Sequence, residues 1–256
     1  MMDQGGAATR FGRVILAAGQ AARMGQPKAL LPFGEQSVIE LVFAAGAAVT
    51  GVSVVVVNPA LADVMEALLP AGERGVELVV NADPASEQID SLKLGLERLA
   101  ALPGGAAEWF FIHPVDYPLA GAADYRALAE AAVSAQGEGA DLLQPVYGER
   151  HGHPILCRSA LGGSFLELEE GKTARDVVRS AKVQYVPSAN PGGWRSATLR
   201  KITPGFSPSW REGIRPDPAA PPLFAARQTF PAASRLERHR WVRIPRGCSG
   251  QSRSGR

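Results

Sequence analysis

The sequence predicts an α/β fold, three layers deep, with a mainly parallel, Rossmann-like sheet covered by helices on both faces. Three observations predict it. Short continuous runs of Val, Ile, Leu and Phe recur along residues 11–193, the pattern of strands buried on both faces. Segments of helical period separate these runs, so strand and helix alternate as parallel crossovers require. Residues able to carry chemistry stand just after the runs, and open α/β sheets bind ligands outside the carboxyl ends of their strands.

The elements follow in order. Residues 13–18 form a buried strand that ends in small residues. Residues 37–49 have helical spacing, with Val38, Leu41, Val42 and Ala45 on one face. Residues 52–57 are a second apolar strand, and residues 60–69 a short helix ended by Pro70 and Gly72. A third strand, 76–80, stops at Asn81. Ser86 starts a helix that turns Leu92, Leu96 and Leu99 inward. A fourth strand, 109–112, precedes an alanine-rich helix at 121–135. Segments 142–146 and 154–157 are strand-like, 172–180 is helical, and 183–186 is a late strand.

The 256 residues suffice for one large or two small domains. No apolar run approaches the roughly 18 residues of a membrane helix, and the first residues carry no secretory pattern. Cys157 and Cys248 are far apart, without metal-ligand spacing. A reduced, cytoplasmic setting is therefore expected. The net charge of +2 averages two unlike parts. Residues 1–193 hold 14 Lys and Arg against 22 Asp and Glu; residues 194–256 hold 13 against 3. The expectation is a folded domain over 1–193 and a disordered basic tail over 194–256, rich in Arg, Pro and Ser.

The most specific signal is the run from Val14 to Lys28, Val-Ile-Leu-Ala-Ala-Gly-Gln-Ala-Ala-Arg-Met-Gly-Gln-Pro-Lys. Small residues at a strand end, Leu16, Ala17, Ala18 and Gly19, let the backbone approach a phosphate and aim N–H groups at its oxygens. Arg23 and Lys28 supply compensating charge. The run lacks the dinucleotide fingerprint and has no Gly-Lys-Ser/Thr of a Walker loop. Its physical description is a triphosphate cradle.

Further along, Asp116 stands just past a buried strand, between Pro114 and Pro118. A stiffened carboxylate there suits Mg²⁺, which takes hard oxygen ligands and keeps several waters. His113 is a poor second ligand, because imidazole favours zinc. Asn81 is placed to hydrogen-bond a base or ribose. There is no Ser/His/Asp triad, zinc cluster or nucleic-acid module, and the basic tail is not interleaved with aromatics in any recognisable binding pattern.

The run from Leu16 to Lys28 resembles the signature Leu-Ala-Ala-Gly-x-x-x-Arg-Met-Gly-x-Pro-Lys of the MobA-like nucleotidyltransferases, which include molybdenum cofactor cytidylyl- and guanylyltransferases. Asp116-Tyr117-Pro118 resembles that family's metal-binding turn, Ser91-Leu92 its Ser-Leu pair near the nucleotide, and Gly152-His153-Pro154 its acceptor-side segment. The resemblance spans residues 13–187. It implies a sheet of the nucleotide-diphospho-sugar transferase type and Mg²⁺-dependent transfer of a nucleotidyl group from a triphosphate to a phosphate-bearing acceptor. Arg23, Lys28 and Asp116 would be catalytic, Asn81 and Ser91 would help hold the nucleotide, and Gly152 and His153 the acceptor. The Leu-Ala-Ala-Gly form points to CTP and a molybdopterin acceptor; because related enzymes use sugar phosphates or methylerythritol phosphate, a sugar-phosphate or other small-molecule nucleotidylyltransferase is the alternative. Lys28→Ala is expected to cut turnover far more than stability.

The family closes its fold with Asp-x-Asp-Thr-Pro-Glu-Asp-Tyr, whose first aspartate resembles a second metal ligand. This chain instead runs through Trp194 into Ala197-Thr198-Leu199-Arg200-Lys201-Ile202-Thr203. Those residues permit the codons GCG ACA CTC CGG AAG ATT ACG. Read from the last base of the first codon, they give GAC ACT CCG GAA GAT TAC, which encodes Asp-Thr-Pro-Glu-Asp-Tyr. A frameshift near Gly193 would account for both the lost motif and the charge break. The gene's bases between Gly193 and Gly205 test this. Two other functions stay open. One is a catalytically impaired nucleotide or cofactor carrier for a molybdoenzyme. The other is a basic-tailed interaction protein, recognisable by salt-dependent nucleic-acid binding.

Overall fold

The computed structural model describes residues 11–19, 27–69, 75–102, 107–134 and 137–196. Arg23, the bases-level reading of 197–203, and all but the first three residues of the expected tail lie outside the described residues.

The chain opens with β1 (Phe11–Ala17). A small hairpin of β2 (Pro32–Phe33) and β3 (Gln36–Ser37) leads into α1 (Val38–Gly46). Then come β4 (Val52–Val57), α2 (Ala62–Leu68), β5 (Val76–Val80) and α3 (Gln88–Ala101). β6 (Trp109–Pro114) and α4 (Ala122–Val133) follow. The last part holds β7 (Leu142–Tyr147), β8 (Arg150–His151) and β9 (Ile155–Arg158). It ends with α5 (Gly162–Leu166), α6 (Ala174–Ser180) and β10 (Val183–Pro187).

The main sheet has the order β5-β4-β1-β6-β9-β7-β10, with β8 paired to β7. β1 pairs in parallel with both β4 and β6, and β4 with β5. The chain therefore moves outward from β1 to β5, and α3 carries it back to β6 on the other side of β1. That reversal leaves a crevice at the carboxyl end of β1, where open α/β sheets bind ligands. β9 runs antiparallel between β6 and β7, and β10 is parallel to β7.

Alternation along each strand divides the core. Val14, Leu16, Val54, Val56, Phe110 and Ile112 pack against Leu92, Leu96 and Leu99 of α3. Ile15, Ala17, Val55 and Val57 pack against Ile39, Val42 and Phe43 of α1. Trp109 and Phe111 meet Tyr125 and Leu128 of α4. Each Val, Leu, Ile or Phe side chain among these, taken fully out of water, contributes about 1.5–3 kcal/mol. Gly95 sets how closely α3 lies on the sheet: a Cβ there would run into Val14 Cγ1 and stand 3.0 Å from Val56 Cγ2.

Several boundaries differ from the sequence expectation. The helix expected from Ser86 begins at Gln88, capped by Glu87 and Asp90. Ser86 is diverted because its hydroxyl donates to the Asp83 carbonyl and accepts from Asn81 Nδ2. The helix expected over 37–49 stops at Gly46, and the one expected over 60–69 begins with a 3₁₀ turn (Pro59–Leu61). The 172–180 helix starts at Ala174, with Thr173 and Asp176 bonding reciprocally at its cap. The β2–β3 hairpin, β8 and α5 are too short to show a period.

Candidate functional site

Leu16 and Ala17 point into the core, 7% and 2% exposed, so only their backbone can face a ligand. The Leu16 carbonyl is already taken by Val115 N at 3.1 Å, which zips β6 to β1 beyond its last regular pair. The chain emerges at Ala18 and at the exposed Gly19, over which a Cβ would meet nothing within 4 Å. Asn58, just past β4, donates from Nδ2 to the Ala18 carbonyl at 3.4 Å. Its Oδ1 is buried with no hydrogen-bond partner among the described residues. Sequence reasoning missed Asn58, although an asparagine closing a strand beside β1 was a visible signal.

Lys28 and Asp116 meet here. Lys28 opens a 3₁₀ turn (Lys28–Leu30) held by the buried Ala29. Asp116 lies in the turn after β6. Lys28 Nζ stands 2.8 Å from Asp116 Oδ2, and both side chains are about one-third exposed. Residues 88 positions apart are thus joined at the mouth of the crevice, because β1 and β6 are neighbours in the sheet. Among the described residues no group of three His, Cys, Asp or Glu side chains is arranged to hold a metal. Asp116 is a described residue that could offer a hard oxygen to a cation there. The Lys28 ammonium already rests on that carboxylate.

Behind the turn lies a buried polar chain with one possible proton order. Arg13, wholly buried, donates to Ser53 Oγ at 2.8 and 3.0 Å and to the Val42 and Phe43 carbonyls. Its Nη1 also reaches Tyr125 OH at 3.4 Å. The Tyr125 hydroxyl lies 2.7 Å from His113 Nδ1, and His113 Nε2 lies 3.0 Å from the Tyr117 carbonyl. A carbonyl only accepts, so Nε2 carries the proton and Nδ1 accepts from Tyr125. Burial holds the His113 pKa down to about 3, so the ring is neutral. Both its nitrogens are committed to bracing the Asp116 turn.

His153 stacks on Tyr117, with ring centroids 4.2 Å apart, which brings the Gly-His-Pro segment beside Asp116. Burial lowers its pKa to about 4, so near neutral pH it offers hydrogen bonds and no charge. Gly152 is buried: its N–H donates to the Pro145 carbonyl, and a Cβ would lie 3.0 Å from the Gly193 carbonyl. The backbone after β10 returns to this spot. Ser188 Oγ donates to Asp124 at 2.6 Å, Asn190 Nδ2 donates to Asp124 and to the Leu119 carbonyl, and His153 N donates to the Gly193 carbonyl. Trp194 then lies under Arg150, 4.1 Å from guanidinium carbon to ring centroid. A shallow recess beside His153 is lined by Pro145, Tyr147, Arg150, Gly152 and Trp194.

Asn81 and Ser91 stand apart from the Lys28–Asp116 pair. Asn81 follows β5, two strands from β1, roughly 10 Å across the sheet. Both residues are buried, and Asn81 Nδ2 donates to Ser91 Oγ and Ser86 Oγ at 2.9 Å each. Asn81 Oδ1 accepts from Asp83 N. The structure thus places them in the brace that turns the chain from β5 into α3.

A sequence profile of the MobA-like NTP transferase domain matches residues 5–186. The chain belongs to that family. Its MobA-like domain has the nucleotide-diphospho-sugar transferase fold, as its structural neighbours do. Rv0371c of Mycobacterium tuberculosis H37Rv, solved in complex with manganese, is 23% identical with a TM-score of 0.55, matching 70% of this chain and 89% of its own. A nucleotidyl transferase from Methanothermobacter is 24% identical with a TM-score of 0.56, over 72% and 89%. The 4-diphosphocytidyl-2C-methyl-D-erythritol synthase of Anaerococcus prevotii is 15% identical with a TM-score of 0.56, over 76% and 93%. No protein of curated function matches the chain by sequence. Among the described residues no helix is long and apolar enough to cross a membrane.

Proposed function

We propose that this MobA-like domain transfers a nucleotidyl group, CMP from CTP, to a terminal phosphate of an acceptor such as molybdopterin. The observation that carries the reading is the Lys28–Asp116 pair at the mouth of the β1 crevice, beside the small residues that begin the cradle. The acceptor phosphate oxygen attacks the α-phosphorus in line, a new P–O bond forms, and pyrophosphate leaves with the broken bond's electron pair. No protein nucleophile takes part; positioning and charge stabilisation supply the rate.

The backbone from Leu16 to Gly19 faces the phosphates, and Arg23 and Lys28 balance their charge. Asp116 would hold Mg²⁺, which when bound neutralises charge gathering at the α-phosphoryl and leaving oxygens. The manganese complex of Rv0371c supports a divalent cation in this role. Neutral His153 meets the acceptor as a hydrogen-bonding group, and the buried Gly152, its N–H spent on the Pro145 carbonyl, serves the acceptor by fixing the backbone that carries His153. Asn81 and Ser91 serve the nucleotide by fixing the start of α3. The cytidylyl product in the name of the Anaerococcus neighbour supports CTP. A cytoplasmic setting agrees with Cys157, a free thiol buried in β9.

The catalytic domain ends near Gly193 in this reading, and residues 194–256 are a basic addition produced by a shifted frame. The path of 188–193 supports it: the backbone is led to Gly152 and His153 just before the charge break. The shifted-frame sequence Asp-Thr-Pro-Glu-Asp-Tyr would then begin beside the site. With the chain as written, one carboxylate is missing. Nucleotide binding is then retained and turnover reduced, the behaviour of a cofactor carrier for a molybdoenzyme.

Calorimetric titration with CTP, GTP and ATP, each with and without Mg²⁺, tests the proposal. Magnesium-dependent binding that favours CTP and disappears in Asp116→Ala is the expected result. Binding unaffected by that substitution would remove Asp116 from the site, and no binding by any nucleotide would refute the function for this chain.

A further inference from the structure

The proposed function gives Lys28 and Asp116 separate ligands, phosphate for one and metal for the other. In the structure they hold each other, Nζ to Oδ2, at 2.8 Å. A divalent cation seats within about 2.1 Å of a carboxylate oxygen, so an ammonium already in contact with Oδ2 takes up part of that carboxylate and repels the second cation arriving at it. Resting on that functional reading, we propose that Lys28 is a built-in competitor of the metal at Asp116, drawn away by the phosphates of the incoming nucleotide.

The surroundings suit an exchange of head groups with a still backbone. Lys28 is anchored on both sides of its Cα: Leu30 N bonds the Pro27 carbonyl, Leu31 N bonds the Lys28 carbonyl, and Ala29 and Leu31 are buried. Asp116 is equally fixed. Val115 is buried and bonded to Leu16, and the Tyr117 carbonyl is held by His113 and by Ala120 N. The lysine's flexible four-carbon stem lets its ammonium swing while both backbones stay in place. With both side chains about one-third exposed, the pair is of the kind worth little by itself and readily traded. A triphosphate offers Lys28 more negative charge than one carboxylate does. Moving to it uncovers Asp116, so metal and nucleotide reinforce each other's binding, and each binds less well alone.

The test is Mn²⁺ binding to the full chain with no nucleotide, read as free Mn²⁺ by electron paramagnetic resonance. Wild type, Lys28→Met and Lys28→Arg are compared, each also in the Asp116→Asn background. Lys28→Met is expected to bind Mn²⁺ about three- to tenfold more tightly than wild type. Lys28→Arg, which keeps the charge on the carboxylate, should stay within about twofold of wild type. The gain should vanish when Asp116→Asn is added, since it runs through that carboxylate. Equal or weaker Mn²⁺ binding by Lys28→Met, with Asp116→Asn still lowering affinity, overturns the competition and leaves Asp116 as the metal residue. Mn²⁺ binding indifferent to Asp116→Asn in every background overturns the metal reading as well.

Discussion

The buried chain behind the Asp116 turn predicts how the fold responds to acid. His113 must stay neutral, because its Nδ1 accepts from Tyr125 while Tyr125 in turn faces Arg13. Its pKa is lowered from 6.5 to about 3, chiefly by burial. A denatured chain takes up a proton on this imidazole below about pH 6.5, and the native chain refuses it until about pH 3. Stability is therefore lost as pH falls through that window, at about 1.4 kcal/mol for each unit once the denatured ring is charged. From pH 7 to pH 5 this single residue removes about 2 kcal/mol, a large part of the 5–15 kcal/mol that holds a typical domain. His153 titrates low as well, so wild type alone cannot isolate the effect. Urea denaturation of wild type and His113→Gln at both pH values can. Glutamine keeps a donor for the Tyr117 carbonyl and cannot be charged. Between pH 7 and pH 5 wild type should lose about 2 kcal/mol more than His113→Gln. Equal losses, or a His113 ring proton signal that shifts between pH 8 and pH 5, would refute the neutral relay.

Two further substitutions test the scaffold. Gly95→Ala drives a methyl into Val14 and Val56 and should destabilise by about 1–3 kcal/mol in urea; a neutral result would mean that α3 lies farther from the sheet. Asn81→Ala strips the donors from Ser86 and Ser91 and leaves the buried Ser91 hydroxyl short of a partner. It should cost about 1–3 kcal/mol, whereas unchanged stability with weakened nucleotide binding would make Asn81 a ligand contact instead.

The sequence by itself determined the layer architecture and pointed to the carboxyl end of β1 as the candidate site. Continuous apolar runs such as 52–57 announce strands buried on both faces, and period plus strand length fixes which segments are helices. The Leu16–Lys28 run was legible because it is local: small residues and cations at fixed spacing act through the backbone they sit on. Helix starts were less legible. Ser86 looks like a cap, but its hydroxyl is claimed by Asn81 and Asp83, and that competition is settled by the turn. Tertiary structure alone decided the pairings across long separations. Nothing in sequence spacing says that Lys28 reaches Asp116, that His113 braces the turn through Tyr117, or that Gly193 comes back to His153. Those contacts follow from strand order, with β6 laid beside β1 and β9 inserted antiparallel next to it. Strand order is set by how helices and strands close one core together, a property of the whole chain that no local pattern carries.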